Sequence, residues 1–302
     1  MTQENNDQMG NSRAIPQEAF DWYDEYAHGL INRREFMGRL SGLVALGFTM
    51  TTLTSALIPN YALAEQVSFN DASIKATYEK FPSPKGSGEG QGYLVVPREL
   101  KDSAPVVLVI HENRGLNPYI KDVARRLAAK GFIAFAPDAL YPLGGYPGND
   151  DEGRAMQKSM SRAHIEEDFI AAAGFIKSHE LSNGKLGAVG FCFGGYIVNM
   201  LAAVMPDQLD AGVPFYGTPA APELRKNVKG PLLIQFAGLD KRVNGTWPDY
   251  EMELKKVNAD FTAHIYEDVN HGFHNDSTGR YAEAEAELAW SRTIEFFGQH
   301  LS

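Results

Sequence analysis

The stretch Lys185-Leu186-Gly187-Ala188-Val189-Gly190-Phe191-Cys192-Phe193-Gly194-Gly195-Tyr196 decides how the rest of the chain is read. A short apolar run ends at Gly190, and Tyr196-Ile197-Val198-Asn199-Met200-Leu201 then opens a helical pattern. The spacing G-x-C-x-G between a strand and a helix is that of a nucleophile elbow with Cys in place of Ser. The glycines have a physical reason, because the two limbs of so sharp a turn pass too close for side chains. The helix start behind the thiol presents unpaired N–H groups and a positive dipole end, which favour a thiolate and a developing oxyanion. Two plainer readings compete. A lone Cys is commonly a small buried hydrophobe, and Gly-rich strand-to-helix turns also cradle phosphates. The stretch matches neither G-x-x-x-x-G-K-[ST] nor G-x-G-x-x-G, which argues against phosphate.

Working outward, the chain has 302 residues, 44% of them hydrophobic and 22% charged, which is globular composition. That length suits one large α/β domain with an appendage, or two small domains. The net charge of −10 argues against nucleic acid and against an anionic membrane surface. The single cysteine excludes an intramolecular disulfide and any C-x-x-C cluster, and so leaves the redox compartment open.

The N-terminal part reads as a separate region, residues 1–64. Phe20, Tyr23, Ala27 and Leu30 recur near helical spacing. Arg33-Arg34-Glu35-Phe36-Met37 then precedes a run without charge from Leu40 to Ile58, and Ala62-Leu63-Ala64 closes it. Twin arginines, an apolar run and A-x-A form a twin-arginine export pattern, with cleavage expected after Ala64 and a periplasmic destination. The alternatives are an uncleaved membrane anchor, since the run is long enough to span a bilayer, or a retained helical appendage in the cytoplasm. Membrane contact is expected only through this leader, if it stays uncleaved.

From residue 65 onward, strands alternate with helices. Strands are expected at Gln91–Val96, Ala104–Ile110, Phe132–Ala136, Leu186–Gly190, Ala211–Tyr216, Leu232–Ala237 and Phe261–Tyr266. Helices are expected at 117–130, 165–178, 250–257 and 282–300, with a loop over 140–151. The alternation predicts an α/β fold: a mostly parallel sheet with helices on both faces.

In such sheets reactive groups sit past the C-terminal strand ends. Asp240 follows the strand ending at Ala237, and His271 follows the strand ending at Tyr266. The order Cys192, Asp240, His271 is the nucleophile–acid–base order of α/β-hydrolases. His271 is suited to take the thiol proton and return it to a leaving group, and Asp240 to fix the imidazole tautomer. Asp240 alone could equally be a helix cap. His111-Glu112-Asn113-Arg114-Gly115 lies where these enzymes place the second oxyanion donor, so the backbone N–H groups of Asn113 and Phe193 are the expected oxyanion hole. Glu112 beside a thiol is unusual: a carboxylate opposes thiolate formation unless it accepts the thiol proton. The plain alternative pairs Glu112 with Arg114 at the surface. A metal site built from His271, His274 and His111 lacks any supporting ligand motif, so neither metal nor cofactor is expected.

Together, G-F-C-F-G-G at Cys192, A-G-L-D at Asp240, N-H-G-F at His271 and H-E-N-R-G at Glu112 resemble the dienelactone hydrolase family, over roughly Tyr78 to Leu301. The resemblance implies an eight-stranded α/β-hydrolase core. It also implies carboxymethylenebutenolidase-like hydrolysis of an enol lactone or other activated ester, and a thiol kept neutral by Glu112 until substrate binds. The chain departs from the pattern where family members hold a substrate carboxylate with arginines. Asn275 stands near one such position, and Ala136-Pro137-Asp138 is followed by Ala139-Leu140-Tyr141-Pro142-Leu143 without an arginine. Arg114 is the remaining candidate for substrate binding. The expected partner is a small ester or lactone; the competing reading is a non-catalytic scaffold of the same fold that binds a ligand or protein.

Overall fold

A computed structural model describes residues 15–61 and 64–302; residues 1–14, and Ala62 and Leu63 of the expected cleavage motif, lie outside the described residues. The chain divides into two units, Met1–Pro59 and Asn60–Ser302. The division falls before Asn60, closer to the N-terminus than the 64/65 boundary expected from sequence. Residues 60 and 61 are tied into the larger unit: the Asn60 N–H donates to the Ser277 carbonyl at 2.6 Å and the Tyr61 hydroxyl to Asp150 at 2.9 Å.

The smaller unit contains helices α1 (Gln17–Ala27), α2 (Arg33–Val44) and α3 (Met50–Leu57). Asn32 caps α2 and Thr49 caps α3 through side-chain oxygens that accept N–H groups of the first turn. The uncharged run from Leu40 to Ile58 is therefore split between two helices, with Gly47 in the left-handed region between them. Among the described residues no helix is long and apolar enough to cross a membrane. Tyr23, Phe36, Leu40, Leu43, Leu53 and Leu57 close a core of their own, and Arg39 bridges Glu25 and Glu35 over it.

The larger unit is one eight-stranded sheet. In chain order it runs β1 (Ile74–Ser83), β2 (Gly88–Pro97), β3 (Ala104–Ile110), α4 (Pro118–Ala129), β4 (Ile133–Pro137), α5 (Asp150–Ser159), α6 (Arg162–Lys177), β5 (Ser182–Phe191), α7 (Phe193–Val204) and β6 (Ala211–Phe215). It continues with the short α8 (Pro222–Arg225), β7 (Leu232–Ala237), the short α9 (Lys241–Asn244), α10 (Trp247–Lys256), β8 (Phe261–Tyr266) and α11 (Glu283–His300). The strand order is β1-β2-β4-β3-β5-β6-β7-β8, with β2 antiparallel to β1 and β4 and every other pair parallel. The expected mostly parallel α/β sheet is what forms.

Strand β1, helix α5 and the short helices α8 and α9 are not marked by the sequence pattern. Strand β1 is an edge strand with half of its positions exposed, and it carries no apolar run. Helix α5 begins at the end of the expected loop 140–151 and runs on to Ser159; Asn149 caps it and acids fill its first turn. Chain direction across the sheet reverses at β3, because β3 to β4 steps one way and β4 to β5 the other. Right-handed crossovers then place α4 on one face and α6 and α7 on the other. The crevice outside the carboxyl ends of β3 and β5 is the switch point where sheets of this kind bind ligands.

Just beneath that edge lies a buried histidine. The His274 ring stacks on Phe191 at 5.2 Å, and its Nδ1 is 2.6 Å from the Tyr119 hydroxyl. Burial, reinforced by Arg126, pushes its pKa down to about 3. The unfolded chain protonates this imidazole near 6.5 while the folded protein does not, so stability present above that pH is lost as pH falls toward 3. His274→Gln should reduce the loss of unfolding free energy between pH 7 and pH 5 by about 2 kcal/mol. Urea titrations at the two pH values measure this, and equal losses in both proteins would rule the linkage out.

Candidate active site

Cys192 sits between β5 and α7 with φ 57° and ψ −110°, a backbone conformation that costs an L-residue about 1–3 kcal/mol. The neighbouring glycines make it possible. A Cβ on Gly190 would collide with the carbonyl of Gly194, and one on Gly194 with the carbonyls of Ile110 and His111. The turn is stitched on both sides: the Cys192 N–H donates to the Phe215 carbonyl at 3.1 Å, and the Tyr196 N–H to the Cys192 carbonyl at 3.2 Å. Phe193 is the first residue of α7, so its N–H has no acceptor within the helix.

The end of β7 supplies Asp240, which does two jobs. Its Oδ1 accepts the Val243 N–H at 3.0 Å and caps α9, while its Oδ2 lies 2.6 Å from Nδ1 of His271. The helix cap and the contact with His271 therefore coexist on one carboxylate. A carboxylate at Nδ1 keeps the proton there and leaves Nε2 as the basic nitrogen. Cys192 Sγ lies within 4.8 Å of a His271 ring nitrogen. The structure thus brings the three residues together at the ends of β5, β7 and β8.

The loop after β3 forms the opposite wall. His111 places its Nδ1 2.5 Å from the Glu112 carbonyl, and its Nε2 accepts the Ala139 N–H at 3.1 Å. Because Nε2 accepts, Nδ1 carries the proton. Both nitrogens are engaged with backbone, so His111 ties the β3 and β4 loops together rather than offering a lone pair to a metal. Burial lowers its pKa, which keeps it neutral.

Glu112 is buried, not at the surface as the plain reading of its pairing had it. One oxygen accepts the Asn275 amide at 3.2 Å, and the other lies 3.4 Å from the Arg114 guanidinium. Arg114 in turn donates to Asp150 at the start of α5 at 2.8 Å. Burial opposes ionisation of Asp150, but Arg114 and the hydroxyls of Tyr146 and Tyr61 outweigh it and hold its pKa below the usual carboxylate range. Arg114, the sequence candidate for a substrate carboxylate, is therefore shared between two carboxylates of the protein. Asn113 is half-buried on the same loop.

Three further residues of the site were not found from sequence. Tyr216 follows β6 with φ 37°, and its ring centre is 4.8 Å from that of His271. Burial raises its phenol pKa far above the usual value, and the nearby Glu112 and Cys192 raise it further. The strand-end rule, applied to the end of β6 as it was to β7 and β8, would have picked it out. Arg280 is buried and donates to the His271 carbonyl at 2.8 Å. Asp150 carried no signal, since nothing local links it to Arg114, 36 residues away.

A sequence model of the dienelactone hydrolase family matches residues 91–301, and a second model, described as YqhI-like, matches residues 8–45. Protein usf of Aquifex pyrophilus is 35% identical, the match covering 70% of this chain and 94% of that protein. A protein of Aquifex aeolicus, provisionally named a carboxymethylenebutenolidase, is 34% identical with the same shares covered. Among solved structures, the dienelactone hydrolase-like promiscuous phosphotriesterase P91 from metagenomic libraries superposes with a TM-score of 0.66 at 23% identity, over 76% of this chain and all of that one. With a family model covering most of its length and its sheet in the same fold, the chain belongs to the dienelactone hydrolase family and is a hydrolase of carboxylic esters or lactones.

Proposed function

We propose that this protein hydrolyses a small ester or lactone through a thioacyl intermediate on Cys192, with His271 as base and then acid and Asp240 as its orienting partner. The observation that carries the reading is the 2.6 Å contact between His271 Nδ1 and Asp240 beside a thiol on a strained elbow. His271 Nε2 takes the thiol proton as sulfur attacks the acyl carbon. The oxyanion is received by the N–H groups of Phe193 and Asn113. The alkoxide leaves with the proton from His271, and a water activated by the same nitrogen releases the acid. Glu112 is read as the group that keeps the thiol neutral at rest. No cofactor enters this scheme. Cys192→Ala and His271→Ala should each lower turnover on the order of 10³-fold or more with circular dichroism unchanged. Near-native turnover in either variant would overturn the triad mechanism.

The substrate is read as uncharged at the acyl end. Arg114 already serves Asp150 and Glu112, and Asn275 offers an amide where the family resemblance implies an arginine. A free carboxylate entering this pocket would leave water without a dedicated partner. The methyl ester of a matched substrate pair should exceed its free carboxylate in kcat/KM by about 10-fold or more. A preference for the carboxylate that collapses in Arg114→Ala would reverse this assignment.

The fate of residues 1–64 is a separate proposal. The twin arginines and Ala62-Leu63-Ala64 support export to the periplasm, while the closed core of α1, α2 and α3 supports a retained appendage. If export operates, replacing Arg33 and Arg34 together by Lys traps full-length protein in the cytoplasm; wild-type protein found uncleaved in the cytosolic fraction decides for retention.

A further inference from the structure

The two oxygens of Glu112 are held by two separate chains of polar groups, and both chains end on adjacent residues. From Oε2 the path runs to the Asn275 amide nitrogen at 3.2 Å. The amide oxygen of Asn275 accepts the N–H of Ser277 at 3.1 Å and its hydroxyl at 2.5 Å. The Ser277 carbonyl accepts the N–H of Asn60 at 2.6 Å. From Oε1 the path runs to Arg114 at 3.4 Å, then to Asp150 at 2.8 Å. Asp150 accepts the hydroxyl of Tyr61 at 2.9 Å on both oxygens, beside that of Tyr146 at 2.7 Å. Residues 60 and 61 lie outside the span matched by the family, residues 91–301. The segment just after them is fastened as well: the N–H groups of Gln66 and Val67 donate to Asp122, and Arg125 holds the Val67 carbonyl.

We propose that Asn60 and Tyr61 are positioning residues for Glu112, so that the segment preceding the family's own sequence sets the reactivity of the Cys192 thiol. The inference rests on the reading of Glu112 as the group that keeps the thiol neutral. The physical chain is short. Tyr61 stabilises the Asp150 carboxylate, which moderates its pull on Arg114 and leaves Arg114 to offset the charge of Glu112. Without the Tyr61 hydroxyl, Asp150 draws Arg114 more strongly, Glu112 is less compensated, and a thiolate beside it is disfavoured. A cut after Ala64 would remove the anchors of both paths together.

Cys192 is the only cysteine, so iodoacetamide alkylation of the full-length protein reports on it alone. Rates are measured from pH 5 to pH 9 for wild type, Tyr61→Phe, Glu112→Gln and the double variant, with circular dichroism as the check on folding. Tyr61→Phe should move the alkylation midpoint to higher pH and slow the reaction roughly 2- to 5-fold near neutrality. In the Glu112→Gln background the same change should have no effect. Asn60→Pro, which removes the N–H donor of the other path, should alter the profile in the wild-type background only. An unshifted profile in Tyr61→Phe, or an equal shift in both backgrounds, overturns the proposal while leaving Glu112 its role. A Glu112→Gln profile identical to wild type removes that role, and the proposal with it.

Discussion

The structure depends on one close approach, that of the first turn of α7 to the ends of β3 and β6. Gly190 and Gly194 face each other where any Cβ would strike a carbonyl, and a Cβ on Gly195 would strike the carbonyl of Phe215. With side chains absent from these positions, the helix start is wedged down onto the sheet edge. Cys192 is then left in a conformation that only its surroundings can enforce. The cost of that conformation is offset by the packing of two strands and a helix around it. The thiol, the helix N–H groups and the β3 loop thereby meet in one small volume at the point where strand order reverses.

Around that volume the protein has gathered several ionisable groups. Glu112, Arg114, Asp240, His271 and Arg280 are buried, and Asp150 is half-buried beside Arg114. A buried ion needs a partner, because the effective cost of leaving water is several kcal/mol per charge. Each of these groups has at least one. The partners come from distant parts of the chain: the β3 loop, the start of α5, the segment after β8, and residues 60 and 61. Such a network rigidifies the wall of the site and makes its geometry sensitive to any one member.

The same network accounts for the character of the pocket. Arg114 is held between two carboxylates of the protein, Glu112 and Asp150. Asn275 can donate to Glu112 but cannot neutralise an anion.

What the sequence determined by itself was local and periodic. The apolar runs located seven strands, and G-x-C-x-G marked the elbow. The rule that strand ends carry chemistry led to Asp240, His271 and Glu112, since each stands directly after a strand that patterning reveals. The sequence could not reveal β1, whose edge position leaves it without an apolar signature. Nor could it show that Glu112 and Arg114 pair in the interior, because local spacing gives proximity but not burial. Only the tertiary structure brought Tyr61 to Asp150, 89 residues apart, and Asn275 to Glu112, 163 apart. Hydrogen bonds between groups so distant leave no mark in a single chain's pattern: what selects them is the need to satisfy polar atoms that folding has already buried.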